Sequence, residues 1–185
     1  VNQSAKLYYQ LNHKNSVAIG LKNIESTNLL ENSNTQNIED YSSNFYTLNL
    51  NHINRNNFNS IYQVQSEVNL QLGIGNRTDE TDKTEQKIIK LESSKLFNLN
   101  TKNSFFLRVN GFKLFSNNYL ENELERFGGI NSLRGFDENS ILATTYGILY
   151  TEYRYLLSKS IYIHSIIDLA YLENDLNNQK EKLYG

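Results

Sequence analysis

Four charged side chains in the later part of the chain have the types and spacing that could do chemistry: Arg134, Glu152, Arg154 and Asp168. Two carboxylates on one partly enclosed wall repel each other, and each raises the other's pKa unless a cation lies between them. Arg154 can neutralise part of that charge. Arg134 can supply the rest through a planar bidentate fork that Lys cannot copy. The expected chemistry is an ionic lock, with Arg134 paired to Asp168 and Glu152 nearby. The same pair also reads as a simple brace that holds geometry, and Glu152–Arg154 as an ordinary solvated pair. Catalytic constellations fail by inspection. His13, His52 and His164 show no ligand spacing, and the absence of cysteine removes disulfides, thiolate metal sites and a Cys nucleophile. Gly73-Ile74-Gly75-Asn76 is a strand end, because no Gly-Lys-Ser/Thr follows it. The acidic-basic run at 79–83 reads as a solvated loop, and no serine sits in a nucleophile elbow. No enzyme, metal or cofactor is expected.

The elements that must position these groups are strands. From Ile61 to Ile74, Tyr62, Val64, Val68, Leu70, Leu72 and Ile74 share one face, and Gln63, Gln65, Glu67, Asn69 and Gln71 the other. A period of two sustained this long indicates a strand, longer than the usual five or six residues. Similar patterns predict eight strands, near 3–12, 15–24, 42–54, 59–76, 85–99, 103–115, 142–157 and 161–172. Val17, Ile19 and Leu21 share a face. Phe105, Leu107 and Val109 lie opposite Arg108 and Asn110, and Leu149, Tyr153, Tyr155 and Leu157 lie opposite Glu152 and Arg154. With 158–160 as a three-residue turn, Leu157 pairs with Ile161. Arg154 then lies opposite His164, Glu152 opposite Ile166 and Tyr150 opposite Asp168. That register puts Glu152 diagonally across from Asp168, within reach of long side chains.

Short turns are expected near 13–14, 55–58, 100–102 and 158–160, and long polar loops at 25–41, 77–84 and 116–141. Their alternation puts all tight turns at one end of an up-and-down sheet and all long loops at the other, as in outer-membrane barrels. Tyr8, Tyr46, Tyr62, Tyr155 and Tyr162 near strand ends would fit interfacial girdles. The chain has no window of about 18 apolar residues, which excludes a helical span. Its negative mean hydropathy of −0.58 is no obstacle, because barrel strands average lipid-facing with lumen-facing residues. A net charge of −2 offers no basic surface for nucleic acid. Proline is absent, as suits backbone donors committed to ladders. With no initiating Met and nothing like a signal peptide, the chain reads as an internal or processed piece.

The stretch 116–141, SNNYLENELERFGGINSLRGFDENSI, carries Phe127, Ile130, Leu133, Phe136 and Ile141, which an unfolded loop would expose to water. A loop with both apolar anchors and glycines should fold against something. Gly128-Gly129-Ile130-Asn131-Ser132-Leu133-Arg134-Gly135-Phe136 resembles the Gly-Gly, then aliphatic-Arg-Gly-aromatic motif of the BamA-type superfamily of outer-membrane assembly and translocation barrels, also called bacterial surface antigen barrels. Glu152-Tyr153-Arg154 resembles the Glu-x-Arg of that family's next strand, and Ile166-Ile167-Asp168-Leu169-Ala170 the Phe-x-Asp-x-Gly of the one after, with Ile166 and Ala170 in place of Phe and Gly. The resemblance covers about 116–172 by motif and the earlier strands by architecture.

It implies an all-β, antiparallel transmembrane barrel of sixteen strands in the outer membrane of a Gram-negative bacterium. This chain would supply about the sixth to the thirteenth, with the barrel seam and the periplasmic repeats lying outside it. The long loop would fold into the lumen, and the function would be insertion of outer-membrane proteins or translocation of polypeptides without a cofactor. The implied partners are outer-membrane lipid, an unfolded outer-membrane protein or passenger polypeptide, and accessory lipoproteins. The alternatives are a two-partner-type secretion pore for one passenger, a passive porin or structural barrel, and a soluble β-sheet binding domain.

Overall fold

The computed structural model describes residues 1–27, 39–55 and 62–185. Alternating sequence becomes long antiparallel strands: β1 (Asn2–Gln10), β2 (Asn15–Ser26), β3 (Tyr41–Arg55), β4 (Val64–Asp79), β5 (Lys83–Asn98) and β6 (Asn103–Phe115). An excursion follows, holding a 3₁₀ turn (Glu121–Glu123) and a two-stranded ribbon of β7 (Glu125–Phe127) and β8 (Ile141–Ala143). The chain then rejoins the sheet as β9 (Thr145–Ser158), β10 (Ile161–Asn174) and β11 (Gln179–Tyr184). Among the described residues nine strands form one sheet in the order β1-β2-β3-β4-β5-β6-β9-β10-β11.

The two faces differ in chemistry. Along β3, Tyr41, Ser43, Phe45, Thr47 and Asn49 are buried, while Asn44, Tyr46, Leu48 and Leu50 between them are exposed. The ladders carry this parity across the sheet. Arg77, Gln71, Gln86, Asn110, Glu152 and Asp168 fall on the inner face, and Ile19, Leu72, Ile89, Val109, Leu149 and Ile167 on the outer. The inner face is concave. Just before β4, the Tyr62 ring lies 5.4 Å from the Tyr162 ring of β10. Those strands are four ladder steps apart, about 19 Å in a flat sheet at the usual strand spacing.

Several expectations need correction. Among the described residues the sheet has nine strands rather than eight, because 179–184 also pairs. Gln179, Lys180, Glu181 and Lys182 carry no apolar period, and only their ladder with β10 makes them a strand. The expected long loop at 77–84 is a tight turn at 80–82, since Arg77 and Thr78 remain in the β4–β5 ladder. Short and long connections therefore do not alternate strictly. A register shift at Asn54/Arg55 pairs Arg55 with Val64, which moves Val64 and Tyr62 off the apolar face. Tyr62 and Tyr162 turn inward around Arg154 and form no outer girdle. The expected turn at 55–58 and the core of the expected 25–41 loop reach beyond the described residues, as does the expected start of a strand at 59.

Candidate functional site

The excursion between β6 and β9 lies against the concave face, and its apolar residues explain why. Leu133 is fully buried and Phe127 nearly so, in a cluster with Phe112, Tyr146, Ile148 and Tyr150 of the wall. The Phe127 ring lies tilted against Tyr146 with centroids 4.6 Å apart, and Phe136 packs at the cluster's margin. Burying a side chain such as Leu133 contributes about 2 kcal/mol. Ile130 is the exception: it is 78% exposed and anchors nothing. It sits at the apex of a turn in which the Ser132 amide donates to the Gly129 carbonyl and the Gly129 amide to the Leu133 carbonyl, both at 3.1 Å. Gly128 and Gly129 enter that turn at φ of 113° and 98°, where a side chain would be strained.

This turn delivers Arg134 to the β9–β10 wall. Its Nε donates to Asp168 Oδ2 at 2.6 Å and its Nη2 to Asp168 Oδ1 at 2.5 Å, a two-point fork. Nη1 reaches Glu152 Oε1 at 3.1 Å. On its other oxygen Glu152 accepts from Arg154, Nε at 2.9 Å and Nη2 at 2.7 Å, with His164 Nδ1 at 3.5 Å. Arg154 is enclosed in turn by Phe106, Tyr62 and Tyr162, with centroid distances of 4.2, 5.2 and 5.6 Å. The charges thus alternate in a chain of Asp168, Arg134, Glu152 and Arg154. The hydrogen bonds it donates to Asp168, opposed in part by burial, hold the Arg134 guanidinium above its ordinary pKa. Asp168 is fully buried, whereas the Arg134 side chain keeps 22% of its surface.

Strand register makes this convergence possible. Arg154 faces His164, Glu152 faces Ile166 and Tyr150 faces Asp168, as the alternation predicts. The turn itself differs: Ile161 pairs with Ser158, and Leu157 is the bulged residue that restores the frame. Gly135 has φ of 90°, and where Gly185 pairs with Asp168 through two backbone hydrogen bonds, a Cβ on Gly185 would overlap the Arg134 carbonyl. Close approach of the loop backbone to the sheet edge therefore depends on glycine.

A second docking point was not expected. Arg77, fully buried on the inner face of β4, donates through Nη1 to Glu123 Oε1 at 2.8 Å and through Nη2 to Asn118 Oδ1 at 2.9 Å. Asp79 lies 3.2 Å from its Nη2. Gln86 donates to the other Glu123 oxygen at 2.8 Å, and Glu123 accepts the Leu120 amide at 3.0 Å. Asn122 reaches back to Ser26 Oγ at 3.0 Å. The available signal was parity, since Arg77 continues the inward series Asn69, Gln71, Gly73, Gly75. Assigning 77–84 to a loop hid it.

Among the described residues, no cluster of three or more His, Asp or Glu side chains could hold a metal ion. The site binds its own loop by charge and shape, and every charged group in the Arg134 chain already has a partner. No protein-family model matches the chain, and no curated protein matches it.

Proposed function

We propose that this chain forms part of the wall of a BamA-like outer-membrane β-barrel that inserts outer-membrane proteins or translocates a polypeptide, without cofactor or nucleotide. The observation that carries the reading is the long loop on the concave face with Arg134 forked onto Asp168. A loop tied to the inside of a curved sheet by a buried ion pair sets the width and charge of whatever passes beside it. Two further features support a membrane setting. The exposed outer face is apolar in strand after strand, and the polar and charged side chains collect inside, the division expected when lipid lies outside and water within. In this reading Arg134, Glu152 and Asp168 position the loop and transform no substrate. The partners are lipid, an unfolded client chain and accessory lipoproteins.

The test is depletion of the intact protein in its host, followed by quantification of the outer-membrane proteome. A broad loss of barrel proteins assigns insertion, and loss of one secreted passenger assigns translocation. An unchanged proteome and secretome would overturn the proposal in favour of a passive pore.

A further inference from the structure

On the outer face of β6, β9, β10 and β11 the ladders set residues in rows. Gly111, Gly147, Tyr171 and Lys182 form one row, and Lys113, Thr145, Glu173 and Lys180 the next row toward the long loop. At Gly147, which has no side chain, the outer face holds a recess of about 440 Å³, floored and flanked by Val109, Leu149, Leu169, Tyr171 and Tyr184, with Lys182 at its rim. That volume lies within the range of small-molecule sites, about 300–1,000 Å³. Above it, Lys180 donates to Glu173 at 3.1 Å, Tyr171 Oη donates to the same Glu173 oxygen at 2.6 Å, and Lys113 Nζ sits 5.1 Å over the Phe115 ring. Three ammonium groups face two carboxylates, Glu173 and, toward Lys180, Asp175, and so leave one positive charge in excess beside an apolar recess.

We propose that this recess binds an anionic, phosphate-bearing membrane lipid, with an acyl chain in the notch at Gly147 and the phosphate on Lys113, Lys180 and Lys182. The inference rests on the outer-membrane reading and deepens it. Lys113 and Lys180 lie toward the end of the sheet from which the long loop departs, two residues or about 7 Å along their strands from the apolar row, and Lys182 lies at the edge of that row itself. Amphipathic lysines at that height extend their stems along the apolar surface and keep the charge at headgroup level. Each lysine near an anionic surface is worth about a fivefold change in affinity. Glu173 orients Lys180 and rejects a second anion from the same spot.

The test is native mass spectrometry of the intact protein released from detergent containing phosphatidylglycerol or phosphatidylcholine with the same acyl chains, with inorganic phosphate as competitor. The expected result is one phosphatidylglycerol retained in preference to phosphatidylcholine and not displaced by phosphate. Retention should fall at least tenfold in the triple variant K113Q/K180Q/K182Q. It should also fall in Gly147→Leu, whose new Cβ meets nothing within 4 Å and so fills the notch without a clash. Lys95→Gln, at the other end of the outer face, should change nothing. Equal retention of both lipids, full displacement by phosphate, or unaltered retention in both variants would overturn the lipid site while leaving the barrel reading standing. A protein that stays soluble and folded without detergent would overturn both.

Discussion

The loop is held at two places, and they are built differently. At the β3–β5 wall, Arg77 is wholly enclosed, shares its guanidinium among Glu123, Asp79 and Asn118, and among the described residues meets no chain of charges leading elsewhere. At the β9–β10 wall, Arg134 retains partial exposure, commits two nitrogens to one carboxylate, and continues through Glu152 to Arg154 and His164. A sealed multidentate anchor has few ways to open. A forked pair at the edge of a charge relay can exchange partners, because Glu152 already competes for the same cation. The first point fixes where the loop begins its crossing, and the second acts as a latch on where it ends.

Substitutions can break that distinction. The largest effect is expected for Arg77→Ala, which strands Glu123 and Asp79 together in a buried site at a cost of about 4 kcal/mol. It should lower the unfolding midpoint and open residues 118–123 to hydrogen exchange. Arg134→Ala should cost about 3 kcal/mol, since Asp168 loses its one charged partner among the described residues at full burial while Glu152 keeps Arg154. Exchange should then rise at 128–140 while 118–123 stay protected. If either variant frees both segments together, the two points are one cooperative unit and the comparison fails. Arg134→Lys keeps the charge without the fork and should cost about 1.5 kcal/mol in the same unfolding measurement. Ile130→Ser should move the midpoint by less than about 0.5 kcal/mol, as expected for an exposed apex.

The same contrast shows what the sequence could disclose. The Arg134 latch was legible because the register of its partners could be counted along β9 and β10, where the Leu157 bulge restores the frame that a three-residue turn would give. Once 158–160 is a turn, ladder arithmetic alone puts Tyr150 opposite Asp168 and Glu152 beside it. The Arg77 anchor was not, for two physical reasons. The end of β4, Gly75-Asn76-Arg77-Thr78-Asp79, is polar on both faces and lacks the apolar half of the pattern. Its partners Asn118 and Glu123 sit in a segment with no period. Strand β11 was missed on the same ground, and Val64 and Tyr62 were misplaced because a bulge leaves no mark in composition. Phe127 and Leu133 were readable as anchors by type, but nothing local distinguishes them from Ile130, whose exposure is set by the turn that Gly128 and Gly129 impose.

Arg134 and Asp168 interact directly, with the loop seated inside the curve of the sheet. A double-mutant cycle on the intact protein tests it: Arg134→Ala, Asp168→Ala and the pair, each measured by urea unfolding in the same lipid. Direct contact predicts a coupling energy of about 2 kcal/mol or more, with the double variant little worse than either single one. Effects that add to within about 0.5 kcal/mol would mean that the two residues do not meet, and would contradict the latch and the function proposed from it.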